Sequence, residues 1–272
     1  MIRLAVRCRP EQAETVLAEL VQLAPGGVEE ETGPDWVEYA IYGAEGELPD
    51  LGKVEAAAGD DLVEITSEKI PDDWADRWRD FHEATVLAGG RVVIRPDWHA
   101  SPEPEALDIV IDPGQAFGTG AHPTTRMCVE ILVQLADQGS ASGALVDLGT
   151  GSAVLAIVAA KLGWSPVLGV DHELPAMRAA SENAAINGVA IDFEQKNLRA
   201  EPAPAATTVV ANLTAPVLRD VASNLAEAPE RLILSGLLTE EAQEVADRFA
   251  VHGLTVAKRL DSGDWSALLL AT

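Results

Sequence analysis

The 272-residue chain carries 19 Lys and Arg against 44 Asp and Glu, a formal net charge of −25, and 47% of its residues are apolar. That apolar content can bury a full core and excludes wholesale disorder, and no apolar run reaches the roughly 18 residues that span a bilayer. So acidic a field repels DNA and RNA; it favours a basic macromolecular partner, with solubility as the alternative use of the charge. The opening MIRLAVRCRPEQAET is charged too early for a secretory signal, and Cys8 and Cys128 belong to no metal or redox spacing. A reducing cytoplasm is the expected setting.

The first segment reads β-α-β-β. IRLAVRC alternates as a strand, and RPEQAETVLAELVQLAP places Ala13, Val16, Leu17 and Leu20 on one helical face. GGVEEETG and DWVEYAIYG read as short strands around a turn, ELPDLGKVEAAAG as a short second helix, and DLVEITSEKI as a further strand. The order predicts a small ferredoxin-like α+β domain over 1–66. It holds no cluster of nucleophiles, bases or ligands, so its expected task is binding or positioning. In PDDWADRWRDFHEATV, Pro71 and two aspartates precede Trp74, Trp78 and Phe81 at i, i+4 and i+7. That stripe predicts a packing helix, read as a linker over 67–84.

A larger domain is expected over 85–272. GRVVIRPDW and ALDIVIDPG read as strands, and the second feeds DPGQAFGTGAHPTTR (112–126), too irregular for a helix and too rich in glycine for a strand. From Ala144 onward strand and helix alternate: ALVDLG, SAVLAIVAAKLG, PVLGVD, ELPAMRAASENAAING, IDFEQ, TTVVANL, APVLRDVASNLAEA, RLILSG and TEEAQEVADRFAVHG. LTVAKRL and WSALLLA flank DSGD as a closing hairpin. The pattern predicts an α/β, Rossmann-like, seven-stranded sheet whose last strand runs against the others. Such sheets bind ligands beyond the carboxyl ends of their strands.

LVDLGTGS places Gly149 and Gly151 where the first strand of this sheet turns into a helix, and Asp171 ends the next strand. Glycines there admit a ligand close to the main chain, and the carboxylate can accept two ribose hydroxyls. An adenosine-containing cofactor fits. Val154 stands where a dinucleotide fingerprint wants a small residue, and Asp147 would face a pyrophosphate with like charge. The ammonium and sulfonium of S-adenosylmethionine suit that anion better than NAD does. Asp147 therefore has two readings, cofactor contact or anchor of the glycine turn.

Four stretches, DPGQAFGTGAHPTTR, VDLGTGSAVLAIVAAKLG, SENAAINGV and VVANLTAPVL, resemble the PrmA family, the methyltransferases of ribosomal protein L11. The resemblance spans nearly the whole chain and implies a ferredoxin-like substrate-recognition domain, a linker helix and an S-adenosylmethionine-binding catalytic domain. By position it implies cofactor contacts from Thr125, Gly149, Asp171 and Asn212, joined by Gly118, Asp147 and Gly151, with Phe117 and its glycine neighbours forming a loop over the active site. Asn212 and Phe117 are the implied catalytic residues. Departures from the family pattern are Thr150 for a common cysteine, Ala153 for the last glycine of GxGxG, and NLTA for NILA. His172, following Asp171, is placed to adjust the adenine pocket.

The implied reaction is methyl transfer to lysine side-chain or N-terminal amino groups, a direct displacement in which the enzyme aligns nitrogen, methyl and sulfur. Asn212, ending the fourth strand, has a carbonyl that could accept an amine N–H; the bland alternative is a strand terminator. His122 reads as structural before it reads as a base, and Asn183 and Asn187 as helix-end residues. No metal, membrane or direct nucleic-acid partner is implied. Two other functions stay open: the same chemistry on another protein or small amine, and a cofactor-binding homologue with weak catalysis.

Overall fold

The computed structural model describes residues 2–13, 16, 29–43, 62–69, 83–112, 120 and 122–272, in two units, Met1–Phe81 and His82–Thr272. In the first unit, alternation sets the faces of the strands. Leu4, Val6 and Cys8 of β1 (Ile2–Cys8) share an apolar cluster with Val37, Tyr39 and Ile41 of β3 (Val37–Gly43). On the opposite face Arg3 and Arg7 of β1 close on Glu38 at 2.7 and 2.8 Å. With β2 (Glu29–Thr32) and β4 (Leu62–Lys69) the sheet is antiparallel throughout, in the order β2-β3-β1-β4. The first strand thus lies between the third and the last, the ferredoxin-like arrangement.

The second helix expected in this unit, 47–59, lies outside the described residues, as do most of the first and most of the linker helix. β4 runs through position 66 to Lys69. The residues expected to end the linker helix instead begin β5 (Thr85–Leu87), where β-branched Thr85 and Val86 pair antiparallel with β6 (Val92–Arg95). β7 (Leu107–Val110) joins β6 in parallel and completes a small sheet.

The main sheet contains β8 (Leu145–Leu148), β9 (Val167–Asp171), β10 (Asp192–Gln195), β11 (Thr208–Asn212), β12 (Arg231–Leu238), β13 (Thr255–Ser262) and β14 (Trp265–Ala271). Its order is β10-β9-β8-β11-β12-β14-β13, parallel except for the hairpin strand β14, which runs antiparallel to both of its neighbours. The chain leaves β8 for one side and later returns to its other side with β11, which opens a crevice at the carboxyl ends of these two strands.

Alternate residues of the central strands face two apolar layers: Val210 and Ile233 in one, and Val209, Ala211, Leu232 and Leu234 in the other. The first layer contains α1 (Pro123–Asp137) and α2 (Val154–Leu162) with the small sheet; the second contains α4 (Ala215–Ser223) and α5 (Ala242–Ala250). α3 (Leu174–Ile186) follows β9. The helix α1 is a finding beyond the sequence reading, which ran the irregular stretch through Arg126. Pro123 takes the first helical position, where its missing N–H costs nothing, so PTTR is a first helical turn.

Candidate active site at the carboxyl edge of the sheet

The turn after β8 is built around two carboxylates with different tasks. Gly149 and Gly151 have φ of +70° and +53°, in the left-handed region that glycine enters without steric cost. N–H groups of Gly149 and Thr150 donate to the Val170 carbonyl at 2.8 and 2.9 Å, which binds the turn to β9. Gly151 N–H donates to Asp171 Oδ2 at 3.0 Å, and Glu173 N–H to Asp171 Oδ1 at 3.1 Å. Asp171 therefore spans the glycine turn and the start of α3. Each of its oxygens accepts one main-chain proton and retains a lone pair for a ligand hydroxyl.

Asp147 is 1% exposed. Its Oδ2 accepts from the Thr150 hydroxyl at 2.8 Å and from Ala156 N–H at 3.2 Å. Of the two roles open to it, the geometry builds the anchor: the carboxylate pins the turn to the first turn of α2. Burial pushes its pKa up to about 7, against the lowering pull of those two hydrogen bonds and with a further push from Asp171. Thr150, a departure from the family pattern, thus supplies a hydroxyl that holds Asp147. Ala153 is fully buried with φ of +64°, in the left-handed region that a glycine would enter without strain.

A second group forms where β11 meets the start of α1. Asn212 Nδ2 donates to Thr125 Oγ1 across 3.4 Å, leaving Oδ1 as the accepting end of the amide. Thr125 is fully buried. His122 caps α1: its Nδ1 accepts from Thr124 N–H at 3.3 Å and lies 2.7 Å from Thr124 Oγ1. Burial lowers its pKa, and the ring packs edge-on to Trp265 with centroids 4.9 Å apart. A neutral imidazole whose Nδ1 is engaged in the cap is structural, in line with the bland reading of this histidine.

The two groups touch through Leu213. A Cβ added at Gly149 would lie 2.3 Å from Leu213 Cδ2. Of the sequence-predicted residues, Asp147, Gly149, Gly151 and Asp171 gather at the first turn, and Thr125 and Asn212 at the second. Phe117 and Gly118 lie outside the described residues. Gly120, just past them, has φ of +86° and its missing Cβ would strike Ile94 at 2.7 Å, so it requires glycine twice over.

Two residues read as helix ends do more. Asn183, 1% exposed, donates from Nδ2 to the Ser152 carbonyl at 2.9 Å and accepts from Asp112 N–H at 3.0 Å. Asn187 Oδ1 accepts from Val110 N–H at 2.9 Å, and its Nδ2 donates to Val110 O at 2.6 Å. These amides extend β7 as a strand partner would, and Asn183 joins that segment to the glycine turn. The available signal was two amides one turn apart on the same helix face. His172 is exposed, with Nδ1 3.4 Å from Asp171 Oδ1.

Acceptors for a vicinal diol at Asp171 beside a glycine turn, with an amide–hydroxyl pair at the neighbouring strand end, suit an adenosyl cofactor with a reacting group at its far end. The family model for ribosomal protein L11 methyltransferase (PrmA) matches residues 39–272. A ribosomal protein L11 methyltransferase of Geobacter metallireducens is 44% identical over 202 residues, 73% of this chain and 66% of that protein. One from Shewanella putrefaciens is 33% identical over 98% of this chain and 97% of that protein. The crystal structure of the ribosomal protein L11 methylase of Lactobacillus delbrueckii subsp. bulgaricus superposes with a TM-score of 0.59 at 30% identity, covering 70% of this chain and 98% of that one. The chain belongs to the ribosomal protein L11 methyltransferase (PrmA) family.

Proposed function

We propose that this protein transfers methyl groups from S-adenosylmethionine to lysine side-chain or N-terminal amino groups of ribosomal protein L11. The observation that carries the reading is the joining of the Asp171 turn and the Asn212–Thr125 pair through Leu213 at one sheet edge. When bound, the cofactor supplies a methyl group on a sulfonium, whose sulfur keeps the bonding electrons as an amine nitrogen displaces it. Asp171 holds the ribose hydroxyls, and the Gly149–Gly151 turn admits the cofactor against the main chain. With Nδ2 spent on Thr125, Asn212 Oδ1 accepts an N–H of the incoming amine and aims its lone pair. A free lysine, with pKa about 10.4, is mostly protonated at neutral pH, so a site that excludes water favours the neutral, reactive amine by desolvation. Most of the acceleration comes from alignment.

The N-terminal unit is assigned substrate recognition, because the residues of the chemistry all lie in His82–Thr272. The formal charge of −25 supports a basic protein as substrate. Labelled cofactor, incubated with the protein and unmethylated L11, is expected to label L11 and to do so far more slowly with Asn212→Ala. Labelling of other proteins in preference to L11 would move the reading to a different protein substrate. Cofactor binding without transfer to any amine would leave a binding homologue.

A further inference from the structure

Asn212 and Thr125 sit on different elements, yet the neighbour of each is tied to the same bulge. β12 loses its register against β14 between Leu234 and Leu237, a bulge holding Ser235 and Gly236. On one side, Leu213 N–H donates to the Ser235 carbonyl at 3.0 Å. Gly236 lies so close behind that a Cβ there would stand 2.5 Å from Leu213 O, 2.8 Å from its carbonyl carbon and 3.0 Å from its nitrogen. On the other side, the fully buried Ser235 hydroxyl is 3.3 Å from Thr124 O and 3.2 Å from Ser266 O, and can donate to either. We infer that the Ser235–Gly236 bulge is the positioning element of the reaction: it holds the main chain after Asn212 and before Thr125, and so sets the aim of the Asn212 amide.

The physical case rests on what can give way. The atoms facing Gly236 are main chain, so no side-chain rotation relieves an added methyl group. Gly236 also has φ of +80°, where L side chains are strained. To restore ordinary contact at 3.4 Å, the Leu213 carbonyl must retreat by about 0.9 Å (3.4 − 2.5). Leu213 is the residue after Asn212, and its nitrogen, bonded to the Asn212 carbonyl carbon, lies only 3.0 Å from that Cβ position. A misplacement near 1 Å costs about 10²-fold in a reaction that depends on alignment. Gly149 and Gly151 follow β8 and Asp171 ends β9, so the ribose end of the cofactor is held away from the bulge.

The inference rests on the proposed role of Asn212, and the test separates the two. In Gly236→Ala, kcat for methylation of L11 should fall by about 10–100-fold, while the S-adenosylhomocysteine Kd by calorimetry and the KM for L11 change by less than about threefold. Ser235→Ala, which deletes only a buried hydroxyl, should show a smaller loss with the same split, and it decides the matter if Gly236→Ala does not fold. A residue that merely supports the fold would lower the melting temperature and leave kcat intact well below it. The Asn212 side-chain amide resonances, assigned by their loss in Asn212→Ala, should shift in both variants without cofactor; they decide where no transfer is measurable. Wild-type kcat in Asn212→Ala would remove the role of Asn212 itself. Loss of activity in Asn212→Ala with wild-type kcat in the bulge variants, or unmoved resonances, would overturn the role of the bulge alone.

Discussion

Replacing Gly149 by alanine tests how tightly the cofactor turn is bound to the end of β11. Two penalties are expected. At φ of +70° an alanine is in the left-handed region, at a cost of about 1–2 kcal/mol. Its Cβ would also lie 2.3 Å from Leu213 Cδ2 and 3.2 Å from Cγ, and forcing a methyl group into such a contact costs about 1–3 kcal/mol. Against these, alanine restricts the unfolded chain and returns about 0.4–1 kcal/mol. The net expectation is a loss of about 3 kcal/mol. Leu213→Ala removes the clash and leaves the backbone strain, so Gly149→Ala in that background should cost only about 1 kcal/mol. The four proteins form a double-mutant cycle, read by chemical denaturation and by S-adenosylhomocysteine calorimetry. Equal cost in the two backgrounds would mean that Leu213 does not fill the space against the turn, and the proposed connection between the two halves of the site would be wrong.

Asp147 predicts a pH dependence. Its native pKa near 7 exceeds the unfolded value of about 3.9, so between these values the native state holds the extra proton and stability falls as pH rises, levelling above pH 7. From pH 5 to 7 the contribution is at most about 2–3 kcal/mol. Asp147→Asn should remove that slope, and denaturation curves that keep it would assign the titration elsewhere. Asn183→Asp keeps the acceptor for Asp112 N–H but turns a carboxylate toward the Ser152 carbonyl; it should cost at least about 1–3 kcal/mol and weaken S-adenosylhomocysteine binding. Unchanged stability and affinity would show that the clamp is dispensable. Steering by net charge acts on encounter, so kcat/KM for L11 should fall between 0.1 and 1 M salt, as the Debye length shrinks from about 10 to 3 Å, with single-turnover rates at saturation little changed. A short peptide carrying the target amine should lose less, and an equal loss would leave the acidity to solubility.

Much of the architecture was legible because local patterns are strict where one face must be buried. Period-2 alternation in IRLAVRC marked a strand, whose Leu4 and Val6 the structure buries, and the hairpin around Gly263 followed from turn chemistry. The end of the linker helix was misread because Thr85–Leu87 carries no local mark apart from β-branched residues; its strand exists through pairing with Val92–Ile94. The helix over Pro123–Asp137 was hidden by the irregular stretch before it, although His122 and Pro123 spell a helix start.

The sequence by itself determined the chemistry available at the site. Glycines at 149 and 151, a carboxylate ending β9 and an amide ending β11 are statements about residue types at element ends, which local order can express. Only the tertiary structure decided what each of them faces. Asp147 turned inward because the nearest donors, Thr150 and Ala156, wrap around it once α2 forms. Asn183 became a clamp because Asp112, just past β7 and 71 residues away in the chain, comes back to it. Gly236 mattered because a bulge in β12 meets the main chain of Leu213. Contacts between residues distant in sequence depend on the packing of whole layers, and no local pattern encodes the distance between two backbones.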